Sequence, residues 1–308
     1  MNNNIHFIGI AERMMSDLAI ALQLQGYAVT GSAEVLLESS QEKLAQAGLL
    51  PTQPGWFPTK VTQALDEVIV GRAIQPDNPE LQIAQQLGLD IYTYPTYIYE
   101  YAQDKQRIVI TGGVERTIIC AITIHILRYW HRAFDYVVDA PGLETTVQLG
   151  EAPIIILQGD ALPSSPVDPQ PQFLAYQHNI ALISGISEEY DEPSPALDGY
   201  VAKLSALADA SPKGGTLIYD EAKSLVKEVG SRPRTDVKSF PYQAHAHRYK
   251  GDQTYLITTQ GDIPILQADR LSLRAIAGAQ QLLRNVAVTS KQFYEAIPTF
   301  SMAEALTI

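Results

Sequence analysis

The sequence predicts an α/β protein built on two mostly parallel, helix-flanked sheets. Three observations carry this. Apolar runs of strand length alternate with helix-period segments, the pattern of parallel strands joined by crossover helices. A length of 308 residues is that of about two domains. Glycines follow the strand-like runs "IHFIGI" (5–10) and "RIVITGG" (107–113), and a helical pattern begins soon after each.

The elements follow in order. "IHFIGI" reads as a buried strand, and "RMMSDLAIALQLQGY" as a helix stopped at Gly26. "AVTGS" (28–32) is a second strand, "QEKLAQAGLL" a helix and "EVIVGRAI" (67–74) a strand. "NPELQIAQQLG" (78–88) is a helix closed by Gly88, and "LDIYTYP" the next strand. The first domain is expected to span 1–104 and the second 105–308. Strands of the second are expected at 107–113, "DYVVDA" (135–140), "APIIILQGD" (152–160), "NIALISGI" (179–186) and "GTLIYD" (215–220). Helices are expected at "TGGVERTIICAITIHILRYW" from Glu115 onward, "SPALDGYVAKLSALADA", "DEAKSLVKEVG", "LSLRAIAGAQQLLRNV" and "SKQFYEAI". "PSSPVDPQPQF" (163–173) reads as a proline-rich loop, and "QTYLITTQGDIPILQ" (253–267) as a hairpin turning at Gly261.

Composition narrows the function classes. Hydrophobic residues make up 46% and charged residues 18%, as in a packed globular protein. A net charge of −12 argues against nucleic acid or an anionic membrane as partner, because both call for basic patches. The lone Cys120 lies in an apolar helical run and excludes an internal disulfide. The N-terminus lacks the pattern of a signal peptide, and the longest apolar stretch, 118–127, is too short to span a bilayer. A cytoplasmic location is expected.

Several segments, in order, resemble the Mur ligases, and among them the muramate–alanine and murein-tripeptide recycling branch. They are "IHFIGI" with "MSDLA", "GYAVTGS", "DNPE", "YPTYIYE", "FDYVV", "SSPVD", "ALISGI", "GGTLIYD" and "FYEAI". The resemblance implies a Rossmann-like, UDP-binding N-terminal domain and a P-loop-like central ATPase domain. It also implies ATP and Mg²⁺ as cofactors. The family's C-terminal domain has no counterpart before Ile308 and is expected to be absent.

The family's site residues are largely replaced. Its phosphate loop reads Gly-Thr/Ser-His/Asn-Gly-Lys-Thr-Thr; here the positions hold Gly112, Gly113, Val114, Glu115, Arg116, Thr117 and Ile118. Such a loop works by turning backbone N–H groups onto phosphate at a helix N-terminus. Glu115 adds a side chain and a carboxylate where phosphate would lie, and Arg116 is not interchangeable with a lysine ammonium. Pairing of Glu115 with Arg116 is one expectation; Thr117 is the surviving hydroxyl for Mg²⁺. The Mg²⁺-binding Glu-x-Asp-Glu becomes Gln158, Gly159, Asp160 and Ala161, leaving Asp160 as a carboxylate that caps a turn. The family's Asp-His becomes Glu189 and Tyr190, and its nucleotide-contacting His-Asn…Asn becomes Leu271, Ser272 and Ala275. In the UDP loop, Gly-x-Gly-Gly-x-Gly-Met-Ser becomes Gly9, Ile10, Ala11, Glu12, Arg13, Met14, Met15 and Ser16, with Glu12 where a diphosphate would lie.

The expectation is therefore a non-catalytic relative with no cofactor or metal, whose site residues are vestigial. It would act by binding, for instance to an active ligase or another cell-wall enzyme. Two alternatives stay open: an ATP-dependent UDP-muramoyl or peptide ligase with a divergent site, and a sensor of a small molecule without phosphates. His245 and His247 share a face if extended but lack a third ligand, and read as exposed loop histidines. The tyrosines at 92, 94, 97, 99 and 101 read as a half-buried cluster at the domain junction or, alternatively, as a partner-binding patch.

Overall fold

A computed structural model describes residues 3–186, 194–251, 253–265 and 270–301. Strands β1 (Asn4–Ile8), β2 (Ala28–Ser32), β3 (Glu67–Val70) and β4 (Asp90–Thr93) form a parallel sheet in the order β2-β1-β3-β4. Helices α1 (Arg13–Leu24), α2 (Glu38–Gln46), α3 (Pro79–Leu87) and α4 (Tyr94–Tyr101) accompany them. The local chemistry is legible at α3. Asn78 accepts the Glu80 and Leu81 amides at 2.9 and 3.1 Å, Pro79 takes the first turn, and Gly88 closes the helix at φ +67°.

The second sheet has seven strands in the order β13-β12-β11-β5-β8-β6-β7. These are β5 (Gln106–Thr111), β6 (Asp135–Val137), β7 (Val147–Gln148), β8 (Ile154–Gln158), β11 (Ile180–Ile183), β12 (Thr216–Asp220) and β13 (Lys238–Tyr242). All neighbours pair in parallel except β6 with β7. Between β8 and β11 lie β9 (Pro163–Ser165), β10 (Asp168–Pro171) and α6 (Gln172–Ala175). Strands β14 (His247–Lys250), β15 (Gln253–Thr258) and β16 (Gly261–Ile265) make an antiparallel meander.

Helix α5 (Glu115–Tyr129) follows β5 directly. Its sequence is apolar nearly all round, so it is buried along most of its length, as such a helix must be. Helices α7 (Pro195–Asp209), α8 (Ser224–Ser231), α9 (Arg270–Arg284) and α10 (Ser290–Ala296) complete the second unit. Cys120 lies fully buried in α5, and burial pushes its thiol up to about 12. No helix among the described residues is long and apolar enough to cross a membrane.

The structure corrects several expected elements. The stretch 163–173 is not a plain loop: β9 and β10 pair as a small hairpin. Its prolines cost little: Pro163 and Pro171 pair at the open end of a two-stranded ladder, Pro166 lies between the strands, and Pro169 falls where the register shifts. Strand β4 stops at Thr93, whose capping box with Thr96 starts α4. Strand β13, with Pro241, and the polar β14 carry weak strand signals and were not expected. Helix α8 starts four residues late, because Asp220 ends β12 and its carboxylate accepts the Ala222 amide at 2.9 Å.

Polar contacts join the two sheets. Asp17 of α1 accepts from the Thr146 amide and hydroxyl at 2.7 and 2.9 Å and pairs with Lys43 at 2.9 Å. Lys43 also donates to the Glu144 carbonyl at 2.9 Å, and the Tyr101 hydroxyl to the Gly150 carbonyl at 3.0 Å. Tyr97 is buried against Tyr92, and Tyr101 is half-buried, so this part of the tyrosine cluster is internal.

Candidate functional site

Parallel strands of both sheets point their carboxyl ends at one cleft of about 440 Å³, the place where open α/β sheets put ligands. One wall carries Glu12, Arg13 and Met14 after β1, Arg72 after β3, and Tyr94. The other carries Arg116 and Thr117 of α5, Asp139 after β6, Gln158 to Asp160 at the end of β8, and Gln172. The Arg13–Asp139 ion pair, 3.0 Å long and half-exposed, crosses between them.

The loop after β5 needs its glycines. Gly112 sits at φ +118°, and a Cβ there would come within 2.6 Å of the Gly185 nitrogen. A Cβ on Gly113 would come within 2.8 Å of the Ile186 carbonyl oxygen. Helix α5 then begins at Glu115, with its N-terminal end beside the cleft.

Glu115 does not pair with Arg116. It is 4% exposed, folds back beside Gly113 and meets Arg274 of α9 at 3.6 Å. Arg274 also donates through Nε to Asp220 at 2.8 Å. One buried guanidinium thus faces two buried carboxylates. Burial first, and then the charges of Asp220 and Glu115, push the adjacent Tyr242 phenol well above its ordinary value. Arg116 turns the other way. It donates to the Gly112 carbonyl at 3.0 Å and to Asp160 at 3.1 Å. Asp160 accepts the Leu162 amide at 2.9 Å with its other oxygen, so it caps a turn and holds Arg116 at once. The Thr117 hydroxyl accepts from Gln158 at 3.2 Å, and Gln158 in turn accepts the Asp139 amide at 2.9 Å.

The loop after β1 is closed by a different device. Gly9 makes the turn at φ +92°, and its amide and that of Ile10 donate to the Ser32 carbonyl at 2.8 and 3.1 Å. The Glu12 carboxylate accepts the backbone amides of Arg72 and Ala73 at 2.9 and 3.1 Å. Two adjacent N–H groups of the loop after β3 thus hold an anion supplied by the chain itself. Ala11 is buried, Met14 lines the cleft and the Ser16 hydroxyl donates to the Arg13 carbonyl at 2.9 Å.

Beneath this loop lies a buried polar network. His6 contacts Thr30 at 2.8 Å, Ser32 at 3.3 Å and Glu80 at 3.4 Å, and Ser32 donates to Glu80. Burial pushes the Glu80 carboxyl up, but bonds from His6, Ser32 and the Phe57 amide outweigh it and hold the group below its ordinary value.

The remaining expected positions fall apart from the cleft. Ser272 and Ala275 are buried in α9, where they pack. Glu189 and Tyr190 lie outside the described residues. His245 and His247 are half-buried rather than exposed. His245 contacts the Tyr294 hydroxyl at 2.8 Å, and no metal-ligating cluster occurs among the described residues. Sequence reasoning missed Arg274, Asp220, Arg72 and Ala73. Nothing in the sequence flags them, because an arginine inside an amphipathic helix and a polar loop are ordinary features.

The family described as "Mur ligase family, catalytic domain" matches residues 4–106. A UDP-N-acetylmuramate–L-alanine ligase of Carboxydothermus hydrogenoformans is 23% identical over 97% of this chain and 66% of its own length. Along most of its length the chain is similar in sequence to the Mur ligases. A Haemophilus influenzae UDP-N-acetylmuramate–L-alanyl-γ-D-glutamyl-meso-2,6-diaminoheptandioate ligase is 20% identical over 73% of this chain and 50% of its own length. The chain therefore spans between half and two thirds of these relatives.

Solved structures agree on the fold. The corresponding diaminopimelate-peptide ligase from Neisseria meningitides superposes with a TM-score of 0.83 at 14% identity, covering 98% of this chain and 99% of that one. A murein peptide ligase from Psychrobacter arcticus gives 0.80 at 17%, covering 97% of this chain and 68% of that one. The mixed α/β fold with mostly parallel sheets is that of the family.

Proposed function

We propose that this chain is a Mur-ligase-like protein of peptidoglycan precursor synthesis or recycling that binds rather than catalyses. The observation that carries the reading is Glu115. Its carboxylate sits buried inside the glycine loop, held by Arg274, where the family loop implies phosphate. A buried anion there opposes a second one, and the Arg274 guanidinium draws it into the loop.

Mg²⁺–ATP does not fit the residues present. Mg²⁺ takes hard oxygen ligands, typically one or two carboxylates with phosphates. Here Gln158 offers an amide already bonded on both sides, and Asp160 is engaged by Arg116 and the Leu162 amide. The UDP-type loop is closed in parallel by Glu12 on the amides of Arg72 and Ala73. A role beside an active ligase or another cell-wall enzyme in the cytoplasm follows from this reading.

The test is calorimetry with ATP and Mg²⁺ on the wild type and on Glu115→Gly with Arg116→Lys. The wild type is expected not to bind, and the double variant to gain affinity, since it reopens the backbone and restores a compact ammonium. Mg²⁺-dependent ATP binding by the wild type, as tight as that of the variant, would overturn the reading and favour an active ligase.

A further inference from the structure

We propose that the free edge of β2 takes an extended peptide of a partner protein, apolar along its strand and carrying a carboxylate. The groove concerned shares no lining residue with the cleft between the sheets, so the inference goes beyond the proposed function and holds whatever the two glycine loops bind.

The first observation is that this edge is unguarded. Native sheets blunt their edge strands with a proline, a charge or extreme shortness, because the free backbone groups there pair with extended chains. Among the described edge strands, β4 carries Asp90, β9 and β10 carry Pro163 and Pro169, β13 Pro241, β14 Lys250 and β16 Pro264, and β7 is two residues long. Strand β2, "AVTGS", ends its sheet with none of these devices.

The second observation is which backbone groups are left over. The Ala28 amide donates to the Asn3 carbonyl at 3.0 Å, and the Ser32 carbonyl takes the amides of Gly9 and Ile10. Successive residues of a strand turn their backbone groups to opposite sides. Ala28, Thr30 and Ser32 therefore face β1, and Val29 and Gly31 face outward. The Gly31 carbonyl accepts the Lys60 ammonium at 3.1 Å. The Val29 amide and carbonyl and the Gly31 amide have no partner among the described residues. A donor and an acceptor on one residue, with a second donor two residues on, is what an added strand satisfies.

The third observation is the surroundings of that edge. A groove of about 390 Å³ runs along Val29 and Gly31, walled by Leu49, Leu50 and Leu65. These walls suit the apolar side chains that an added strand presents at every second residue. Lys60 is the one charged residue among those that line it. Its ammonium rests on the Gly31 carbonyl and lies 4.7 Å from the centre of the Phe57 ring, and it meets no carboxylate among the described residues. A cation fixed in this way selects an acidic segment over a basic one. A fatty acid would satisfy the cation and the apolar wall but would cover the Val29 amide and carbonyl without pairing them, which is costly. The backbone pattern thus points to a peptide.

The test is fluorescence polarisation on the intact chain with labelled, C-terminally amidated Val-Thr-Val-Thr-Val-Glu and its Gln counterpart. Two further Glu peptides are N-methylated, one at the valines and one at the threonines. The Glu peptide is expected to bind saturably and about threefold more tightly than the Gln peptide, and Lys60→Ala should erase that preference. Val29→Pro removes the outward amide and leaves the bonds to β1 in place, so it should weaken binding by at least about tenfold. One of the N-methylated peptides should lose as much, because one set of amides faces the edge. Melting curves check that the variants fold. If Val29→Pro does not, the N-methylated peptides ask the same question of the wild type. No saturable binding of the Glu peptide, equal binding of both N-methylated peptides, or a Glu preference kept in Lys60→Ala overturns the proposal. Palmitate binding with equal binding of both N-methylated peptides assigns the groove to acyl chains. A dimer that Val29→Pro abolishes, without peptide binding, assigns the edge to a second copy of the chain. Either result overturns the proposal as well.

Discussion

The loop after β1 and the loop after β5 each carry a glutamate, Glu12 and Glu115, in the same relation to a glycine turn and a following helix. Glu12 is half-buried and rests on the uncharged amides of a neighbouring loop. Glu115 is buried and rests on a guanidinium that it shares with Asp220. The first arrangement can be undone by water, which reaches the exposed backbone of Arg72 and Ala73. The second is sealed from water, and loss of Arg274 would leave two carboxylates uncompensated away from solvent. Two loops with the same kind of replacement should therefore differ in how tightly they are closed.

The largest effect is expected at Arg274. Arg274→Met strands Glu115 and Asp220 with no cation between them, and should cost about 3–5 kcal/mol in urea denaturation. A loss below about 1 kcal/mol would mean that the α9 guanidinium is not what closes the loop after β5.

Next comes Glu115→Ala. Asp220 still neutralises Arg274, so the expected cost falls to about 1–3 kcal/mol. Glu12→Ala should cost less, about 0.5–1.5 kcal/mol, since water can replace the carboxylate on both amides. If the Glu12 variant proves the more damaging of the two, the contrast between an open and a sealed loop is wrong.

The smallest effect concerns acid. Glu80 underlies the loop after β1 through Ser32, whose carbonyl takes the Gly9 and Ile10 amides. Its folded-state pKa lies below the ordinary value of 4.5. Its contribution is therefore present above that value and is lost as pH falls through the folded pKa. Glu80→Gln should flatten the acid limb of the stability curve below about pH 4.5 and leave the slope near neutrality unchanged. Thermal melts of both proteins across that window check it; parallel acid limbs would show that Glu80 is not a source of the acid sensitivity.

The sequence alone determined the alternation of strands and helices, the turns at Gly9 and Gly112, the start of α5 at Glu115 and the stop at Gly88. These depend on periodicity and on backbone conformation, both set by near neighbours in the chain. The replaced loop residues could be read the same way, because each stands in a fixed relation to its glycine. Weak strands were not legible. Strand β13 carries a proline and β14 is mostly polar, and only their place beside stronger strands makes them strands. The partners of the two glutamates were decided by the tertiary structure. Glu12 reaches amides 60 and 61 residues away, and Arg274 reaches Asp220 across 54. Such pairings depend on how α9 packs against α5 and on how the loop after β3 passes the one after β1. Local sequence fixes that a carboxylate stands in each loop; the packing of distant elements fixes which way it turns and what neutralises it.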